Sequence, residues 1–303
     1  MSNCIKEKKY AIILDDNRIT DYIYDEVAET ENTLYGLQNS NSSITAFDKE
    51  NGNILFKISD VSEYEVYEGI WIIELNEHKS YVYFDEPKKI YGPFVDAKIY
   101  EEFYAVKVSR LIKDSKSNNY VKVFGLYNIA GKLLLPIKYT RISLDNVTCT
   151  IEVEHNGKLG LTNFYGDFVI EPIYDNLTYH WEGEIVKVYS ASLGKYGAFD
   201  RSGDILFPCQ YNSIEIDEKA NLIYVLKDGV YGIYDLYAYE IFPPSFTKLI
   251  KCGEVLEVKF GDQWFGYIHK LNRLFPRSSF TYYEDKLKYF DGYKWRTLKY
   301  NKK

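Results

Sequence analysis

One sequence pattern recurs along the chain and restricts its fold more than any other feature. Residues 195–200 read KYGAFD, and a Ser202-Gly203 turn, the run ILFP at 205–208 and Tyr211 follow. A second copy reads YGIYD at 231–235, with EIFP at 240–243 and Phe246 after it. Most steps between equivalent positions are 34 to 37 residues, which predicts a tandem-repeat architecture. The positions equivalent to Gly197 are Ala11, Thr45, Val82, Gly125, Gly160, Gly232, Gly266 and, in degenerate form, Arg296.

Each repeat predicts four short strands, which we call s1 to s4. Strand s1 alternates apolar and polar residues, as in IVKV at 185–188, and this is the pattern of a half-buried strand. Strand s2 carries the aromatic-Gly pair, and s3 is an apolar run that reaches a proline. Because proline has no N–H to donate, we expect it to end the ladder before a short s4, such as 139–142. The 31 Tyr and 17 Phe also favour β-structure.

The repeated glycine in s2 needs a physical reason, because glycine weakens a strand. A glycine kept at one place usually marks the close approach of another backbone or ring. We infer that an aromatic side chain of the same or a neighbouring unit packs over it. The structural repeat glycines are Gly125, Gly160, Gly197, Gly232 and Gly266.

The fold class predicted from these units is all-β, a closed β-propeller of about eight blades. The chain begins without an s1 before Tyr10, and residues 287–298 supply an additional s1 and s2, so pairing of the two ends would close a ring. The alternative is an open β-solenoid of stacked hairpin units, with the same two segments as caps. We expect one domain over 1–303, with degenerate units at 8–120, the best-matching units at 121–276 and a closing or capping segment at 281–303. The polar run at 111–119 (LIKDSKSNN) indicates an inserted loop.

The repeat resembles that of the bacterial WG-repeat (KWG-repeat) proteins. The resemblance is best at KYGAFD (195–200) and at LGL (159–161) followed by EPIY (171–174), and it is weak before Tyr120. The family's Trp is replaced by Tyr, Phe or Leu in most copies, and Trp264 lies one place early. The resemblance implies tandem β-units in an interaction domain and gives no catalytic residues to carry over.

Charge and composition exclude several classes of function. The net charge is −7 with scattered Lys and Arg, so the basic field of a nucleic-acid or anionic-membrane binder is missing. No apolar run approaches the roughly 20 residues that cross a bilayer. We therefore expect a cytoplasmic monomer with no nucleic-acid or membrane partner. The four cysteines are too few and too scattered for a disulfide framework, so reduced thiols are expected.

The residues that carry catalysis or bind metals show no recognisable arrangement. None of the four histidines is spaced from another His, a Cys or a carboxylate as metal ligands are. The glycine-rich turns belong to hairpins rather than to phosphate-binding loops. We therefore expect no catalytic residue, no cofactor and no metal, and an enzyme with a central-channel site is the least favoured alternative.

One set of residues does suggest binding. In a four-stranded antiparallel unit, the s4–s1 and s2–s3 connections emerge at the same end, and several s4–s1 connections are acidic and aromatic. Such a rim suits a protein-binding face. We expect a scaffold, inhibitor or immunity-type protein that binds another, basic protein; a carbohydrate binder is the alternative, and the rings could instead fold inward. The candidate binding residues are Tyr64, Tyr67, Glu101, Glu102, Tyr179, Trp181 and Glu182.

Overall fold

Short strands form nearly all of the regular structure, as the alternating sequence predicts. The computed structural model describes residues 9–14, 17–114, 118–146, 148–252, 255–283 and 286–297. In these residues the only helices are short 3₁₀ turns, at Asn39–Asn41, Glu101–Phe103, Trp181–Gly183, His269–Leu271 and Arg277–Ser279. No helix in the described ranges has the length and hydrophobicity that a membrane crossing requires.

The strands follow one another at short intervals. They are β1 Ile13–Leu14, β2 Asn17–Arg18, β3 Glu26–Glu29, β4 Thr33–Gln38, β5 Ser43–Asp48, β6 Ile54–Ile58, β7 Val61–Tyr67, β8 Ile70–Leu75, β9 Lys79–Phe84, β10 Lys89–Phe94, β11 Asp96–Tyr100, β12 Ala105–Lys113, β13 Tyr120–Asn128, β14 Leu133–Tyr139, β15 Arg141–Asp145, β16 Thr150–His155 and β17 Lys158–Thr162. The remaining strands are β18 Phe168–Tyr174, β19 Asn176–His180, β20 Ile185–Ser190, β21 Lys195–Asp200, β22 Ile205–Tyr211, β23 Ser213–Asp217, β24 Leu222–Lys227, β25 Val230–Asp235, β26 Glu240–Phe246, β27 Lys248–Cys252, β28 Val255–Phe260, β29 Gln263–Ile268, β30 Arg273–Pro276, β31 Phe280–Tyr283, β32 Lys286–Phe290 and β33 Trp295–Thr297.

Strands β3 to β30 form seven consecutive four-stranded sheets, each with its strands adjacent in chain order. Strands β31 to β33 add a three-stranded sheet, and β1 and β2 form a small pair. All the pairings recorded between these strands are antiparallel, as from β19 to β21. This is the strand order of propeller blades. The predicted fold class, all-β with about eight propeller-type units, is confirmed.

The chain divides into two compact units, Met1–Pro172 and Ile173–Lys303. Within each, successive sheets pack face to face over apolar layers. One such layer in the second unit joins Ile185 and Phe207 of one sheet to Ile214, Ile223 and Val225 of the next. A single domain over 1–303 and closure of a ring stay predictions; residues 1–8 and 298–303 lie outside the described part.

The position of strand s4 differs from the prediction. Tyr139 ends β14 as the last strand of one sheet, and after Thr140 the chain continues as β15, the first strand of the next sheet. The N–H of Thr140 already donates to the carbonyl of Glu154 in that next sheet, at 2.9 Å. Each s4 therefore opens the following unit and does not close its own.

In most repeats the proline does not end its strand, contrary to expectation, and Pro276, the last residue of β30, is the exception. Pro136 lies inside β14, where Leu135 pairs with Leu126 but Tyr139 pairs with Phe124. Two additional residues are therefore accommodated on β14, which is an edge strand of its sheet. A proline is tolerated at such a bulge on an edge strand because no ladder bond is lost.

The bulge explains most of the repeated glycines. A Cβ on Gly160 would lie 2.6 Å from the carbonyl oxygen of Ile170 and 2.6 Å from the nitrogen of Pro172. The backbone of s3 lies 3.0 Å from the Cβ position of Gly197 and of Gly232, and at Gly125 the side chain of Ile137 is nearest, at 2.6 Å, with s3 backbone atoms at 3.0 Å. The inferred aromatic contact is therefore wrong for these four, because strand s3 occupies the space.

Gly266 is the exception, because its unit is shifted by one residue. Gly266 pairs with Phe275, whereas the equivalent Phe207 pairs with Ala198 rather than with Gly197. The Phe280 ring lies where a Cβ of Gly266 would be. Here the aromatic packing inferred from the sequence is present.

The polar run at 111–119 is not simply an inserted loop. Leu111, Ile112 and Lys113 belong to β12 and pair with Lys122, Val121 and Tyr120 of β13. The insertion therefore lengthens a hairpin, and residues 115–117 lie outside the described part.

Candidate functional site

The second unit places an aromatic and acidic surface at the ends of two neighbouring sheets, β19–β22 and β23–β26. The connections that form it are β19 to β20, β23 to β24 and β25 to β26. They are of the s4–s1 and s2–s3 types, which leave a sheet at the same end. We call Trp181, Glu182, Glu218, Tyr237 and Tyr239 the Trp181 patch.

Trp181 occupies the turn between β19 and β20, held from two sides. Its backbone N–H donates to Oε1 of Glu218 at 2.7 Å. Its half-buried ring packs against the apolar layer between the two sheets. Both Trp181 and Glu182 have positive φ, 50° and 53°, which is unusual outside glycine. The neighbouring sheet therefore helps to fix the indole at the surface in a strained turn.

Tyr237 and Tyr239 belong to the β25–β26 turn, which a carboxylate shapes. Oδ1 of Asp235 accepts the backbone N–H groups of Tyr237 and Tyr239, at 3.0 and 2.8 Å. The same carboxylate turn recurs at Asp200 in the preceding sheet. Tyr237 is 67% exposed and Tyr239 is 73% exposed. The ring of Tyr237 packs edge to face against the indole of Trp181, with 5.3 Å between the ring centroids. The turn thus presents two exposed phenols beside the indole.

Carboxylates flank these rings. Glu182 and Glu218 are both exposed. Glu184, in the same connection, pairs with Arg201 at 3.3 Å, so its charge is compensated within the sheet. Among the residues that the structure describes, the uncompensated charge next to the aromatic rings is therefore carried mainly by Glu182 and Glu218.

His180 lies beneath the patch and is held neutral. Its Nδ1 is 3.9 Å from Glu218, and its Nε2 is buried without a hydrogen-bond partner among the described residues. Burial lowers the pKa of His180 below its ordinary 6.5, and the positive charge of Lys187 lowers it further. The negative charge of Glu218 opposes this shift in pKa. At neutral pH, His180 therefore does not offset the negative charge of the patch.

This lowered pKa predicts a pH dependence of stability. The unfolded chain takes up a proton at His180 near pH 6.5, whereas the folded chain resists it, so stability falls as the pH drops below about 6.5. Urea denaturation at pH 7.5 and 5.0 should show a larger loss for the wild type than for His180→Gln. Equal losses in the two proteins would contradict this role of His180.

The second-unit residues singled out from the sequence are only partly brought together. Trp181 and Glu182 form part of the patch, and their role in binding a partner stays a prediction. Tyr179 is half-buried on β19. Sequence reasoning missed Tyr237 and Tyr239, although the s2–s3 turns were expected at the same end as the s4–s1 connections.

The first-unit candidates have different surroundings. Tyr64 lies within β7 rather than in a loop, and its ring stacks on Trp71 at 5.4 Å. Tyr67 ends β7 and packs against an apolar layer. Both residues pair with β8 within the sheet, so their prediction as loop residues is wrong, although Tyr64 remains 40% exposed. Glu101 and Glu102 are exposed as expected, and Glu102 accepts a bond from Asn146 at 3.0 Å.

The first unit also has an acidic cavity of about 610 Å³ at its turns. Its lining residues include Glu29, Glu31, Glu68, Asp85 and Glu86. Lys49 pairs with Glu29 at 2.8 Å. No group of three or more potential metal ligands occurs in the part of the chain that the structure describes.

The comparison with protein families supports the resemblance read from the sequence. Residues 196–231 match the model of the WG containing repeat. The chain therefore contains a WG repeat, and this stretch lies within residues 121–276, where the sequence resembles the repeat best. No curated protein matches the sequence.

The search of solved structures matched proteins of low sequence identity, one of which is described as a propeller. Sqt1 of Saccharomyces cerevisiae is 13% identical, with 93% of this chain and 95% of that chain covered and a TM-score of 0.24. BamB from Moraxella catarrhalis is 14% identical, with 78% and 79% covered and a TM-score of 0.23. The Dos1 propeller is 10% identical, with 84% and 80% covered and a TM-score of 0.26.

Proposed function

We propose that this protein is a non-catalytic interaction module whose Trp181 patch binds a basic segment of a partner protein. The observation that carries the proposal is the edge-to-face pair of Trp181 and Tyr237, flanked by Glu182 and Glu218. A scaffold, an inhibitor or an immunity-type protein would all use such a surface.

The chemistry of the patch favours arginine or lysine. A guanidinium stacks on the face of an indole or phenol and pairs with a carboxylate at the same time. Trp and Tyr also dominate the binding energy of protein interfaces, because they bury a large area with few rotatable bonds. Both ring types and both carboxylates occur here on adjacent turns.

The distribution of exposed aromatics favours a protein over a carbohydrate. The s2–s3 turn of β25–β26 presents Tyr237 and Tyr239, and that of β17–β18 presents Tyr165. The equivalent turn of β21–β22 carries Arg201 and Ser202, and that of β13–β14 carries Ala130. A sugar-binding repeat would be expected to place equivalent rings in each unit, whereas this surface is asymmetric.

The proposal predicts which peptides the protein selects. A random peptide library panned on the wild type should yield sequences rich in Arg and Lys. Trp181→Ala should weaken their binding about 30-fold, the effect of a loss of about 2 kcal/mol at an interface hot spot. Tyr237→Ala should weaken peptide binding about tenfold. This variant keeps the half-buried Trp181, so it tests the patch even if Trp181 is needed for folding.

A matched control is available in the same unit. Tyr293 is 93% exposed in the β32–β33 turn, which is of the s1–s2 type and lies at the opposite end of its sheet. Tyr293→Ala should leave peptide binding unchanged. Selection of peptides without a basic bias, or equal binding by Tyr237→Ala and the wild type, would overturn the proposal. Selective binding of oligosaccharides would favour the carbohydrate alternative instead.

A further inference from the structure

The β12–β13 hairpin of the first unit extends beyond its sheet as a two-stranded ribbon. Strand β11 pairs with β12 only as far as Ser109, and β14 pairs with β13 only as far as Phe124. Further along the hairpin, residues 110–113 pair with residues 120–123. No other strand in the part of the chain that the structure describes pairs with these residues. We call residues 110–113 and 120–123 the hairpin ribbon.

The outer edge of β12 is open along the hairpin ribbon. The carbonyl of Ser109 accepts the N–H of Val95 at 2.9 Å, from the β11 side. The backbone groups of a strand alternate between its two sides, so Leu111 and Lys113 direct their N–H and C=O groups to the same side as Ser109. Strand β11 does not reach that far. An open edge of this kind can accept an additional strand.

The hairpin ribbon also exposes apolar side chains. Leu111 is 53% exposed, Ile112 is 45% exposed and Tyr120 is 70% exposed. Exposed apolar side chains that lie together are typical of interaction surfaces. The ribbon therefore offers both main-chain hydrogen bonds and apolar contacts to a partner.

Basic side chains outnumber acidic ones on this hairpin. The Nζ atoms of Lys107 and Lys122 lie 5.5 and 5.7 Å from the centroid of the Phe124 ring. Lys122 is paired with Asp96 of β11 at 2.7 Å. The described residues of the hairpin, 105–114 and 118–128, contain a single acidic residue, Asp114, and the basic residues Lys107, Arg110, Lys113 and Lys122. The hairpin is therefore locally positive in a chain whose net charge is −7.

Arg110 and Lys113 are the basic residues of the ribbon that remain available. Both are exposed, and neither forms an ion pair with a carboxylate of the described residues. The guanidinium of Arg110 lies over the Phe94 ring, 5.2 Å from its centroid. Because side chains alternate along a strand, Arg110 and Lys113 lie on opposite faces of the ribbon. Carboxylates on either face of an added strand can therefore be paired.

We propose that the hairpin ribbon binds an acidic, extended segment of a second partner protein, which adds as a strand along the open edge of β12. Leu111 and Lys113 supply main-chain hydrogen bonds, and Arg110 and Lys113 pair with carboxylates of the segment. Leu111 and Ile112 pack against its apolar side chains. This partner is distinct from the basic segment proposed for the Trp181 patch.

Charge argues against two other occupants of the edge. A second copy of the chain would bring two equally basic edges together, and like charges on neighbouring strands are destabilising. A nucleic acid would be repelled by the net charge of −7. An acidic protein segment is attracted by Arg110 and Lys113 and is small enough to contact the ribbon alone.

The test uses an acetylated peptide of about eight alternating Glu and Val residues, long enough for a typical strand, titrated into the full chain. We expect saturable binding, with slower amide hydrogen exchange at Leu111 and Lys113, since their N–H groups become bonded to the peptide. The corresponding Lys-Val peptide should leave the exchange of both amides unchanged. No saturable binding of the acidic peptide, or binding without slower exchange at these amides, would overturn the proposal.

Lys113→Glu tests the role of charge at an exposed position. It should weaken binding of the acidic peptide about tenfold, because attraction to a carboxylate is replaced by repulsion. Lys132→Glu is the matched control: it makes the same charge change at an exposed residue of the β13–β14 turn, at the other end of the same sheet, and should leave binding unchanged. Trp181→Ala should also leave it unchanged, which separates this proposal from that for the Trp181 patch.

Three outcomes would contradict the assignment. Equal binding by Lys113→Glu and the wild type would show that charge does not select the segment. Tighter binding of a DNA duplex than of the acidic peptide would identify a nucleic acid as the occupant. Slower exchange at Leu111 and Lys113 on raising the concentration of the protein alone would identify a second copy of the chain.

Discussion

Replacing Gly160 with alanine is expected to lower the free energy of unfolding by about 3 kcal/mol, the upper range for overpacking a folded interior. The added methyl would lie 2.6 Å from both the carbonyl oxygen of Ile170 and the nitrogen of Pro172. These are backbone atoms, so no side-chain rotation relieves the overlap. The strand would have to shift away from the s3 backbone at Pro172. Urea denaturation of the purified variant measures the loss.

Gly157→Ala is the control for this prediction. Gly157 lies in the turn immediately before the same strand, and no atom is within 4 Å of the position that its Cβ would occupy. Its φ of 73° makes alanine unfavourable by about 1 kcal/mol for conformational reasons alone. If the two variants proved equally stable, the close approach of s3 would not be the reason for the repeated glycine.

Asp85→Ala is expected to destabilise the chain by about 3 kcal/mol, because it leaves several donors unpaired. The carboxylate is buried, and its Oδ2 accepts the N–H of Asn32 at 2.9 Å. Its Oδ1 accepts the Thr33 hydroxyl at 2.5 Å, and that hydroxyl is also 2.8 Å from the hydroxyl of Tyr83. The bonds join two neighbouring sheets, so their loss affects the packing between sheets.

Asp200 provides the matched control, since it occupies the equivalent place in another repeat. It is half-buried, and among the described residues the bonds of its Oδ1 stay within its own turn, from the N–H groups of Ser202 and Asp204, both at 2.9 Å. Asp200→Ala should therefore lower the free energy of unfolding by about 1 kcal/mol, the usual net contribution of such hydrogen bonds. Urea denaturation of both variants tests the difference, and a loss at Asp200 as large as that at Asp85 would contradict it.

The strands could be predicted from the sequence because their pattern is local. Alternation such as IVKV at 185–188 and the aromatic-Gly pair predict s1 and s2, and β20 and β21 confirm them. The partner of s4 could not be predicted in this way. The bond from Thr140 to Glu154 forms with a segment that follows, and nothing in residues 139–142 specifies whether the preceding or the following sheet provides it.

The candidate site was predictable to a similar extent. Trp181 and Glu182 were identified because an aromatic and an acid in a connection differ visibly from a strand. Tyr64 was misassigned although the alternation of Tyr64 and Val66 with acidic residues is itself a strand pattern, and β7 shows it. Tyr237 could be placed beside Trp181 only when the packing of two sheets was known, because 56 positions separate them in the chain.

Hydroxyl-radical footprinting of the protein with a bound basic peptide tests the central claim most directly. Side-chain oxidation of Trp181, Tyr237 and Tyr239 should fall when the peptide is bound, because their rings lose contact with solvent. Tyr165 and Tyr293, which are 79% and 93% exposed, serve as internal references and should be oxidised as in the free protein. Protection of Tyr165 or Tyr293 with none at Trp181 and Tyr237 would show that the protein binds through another surface.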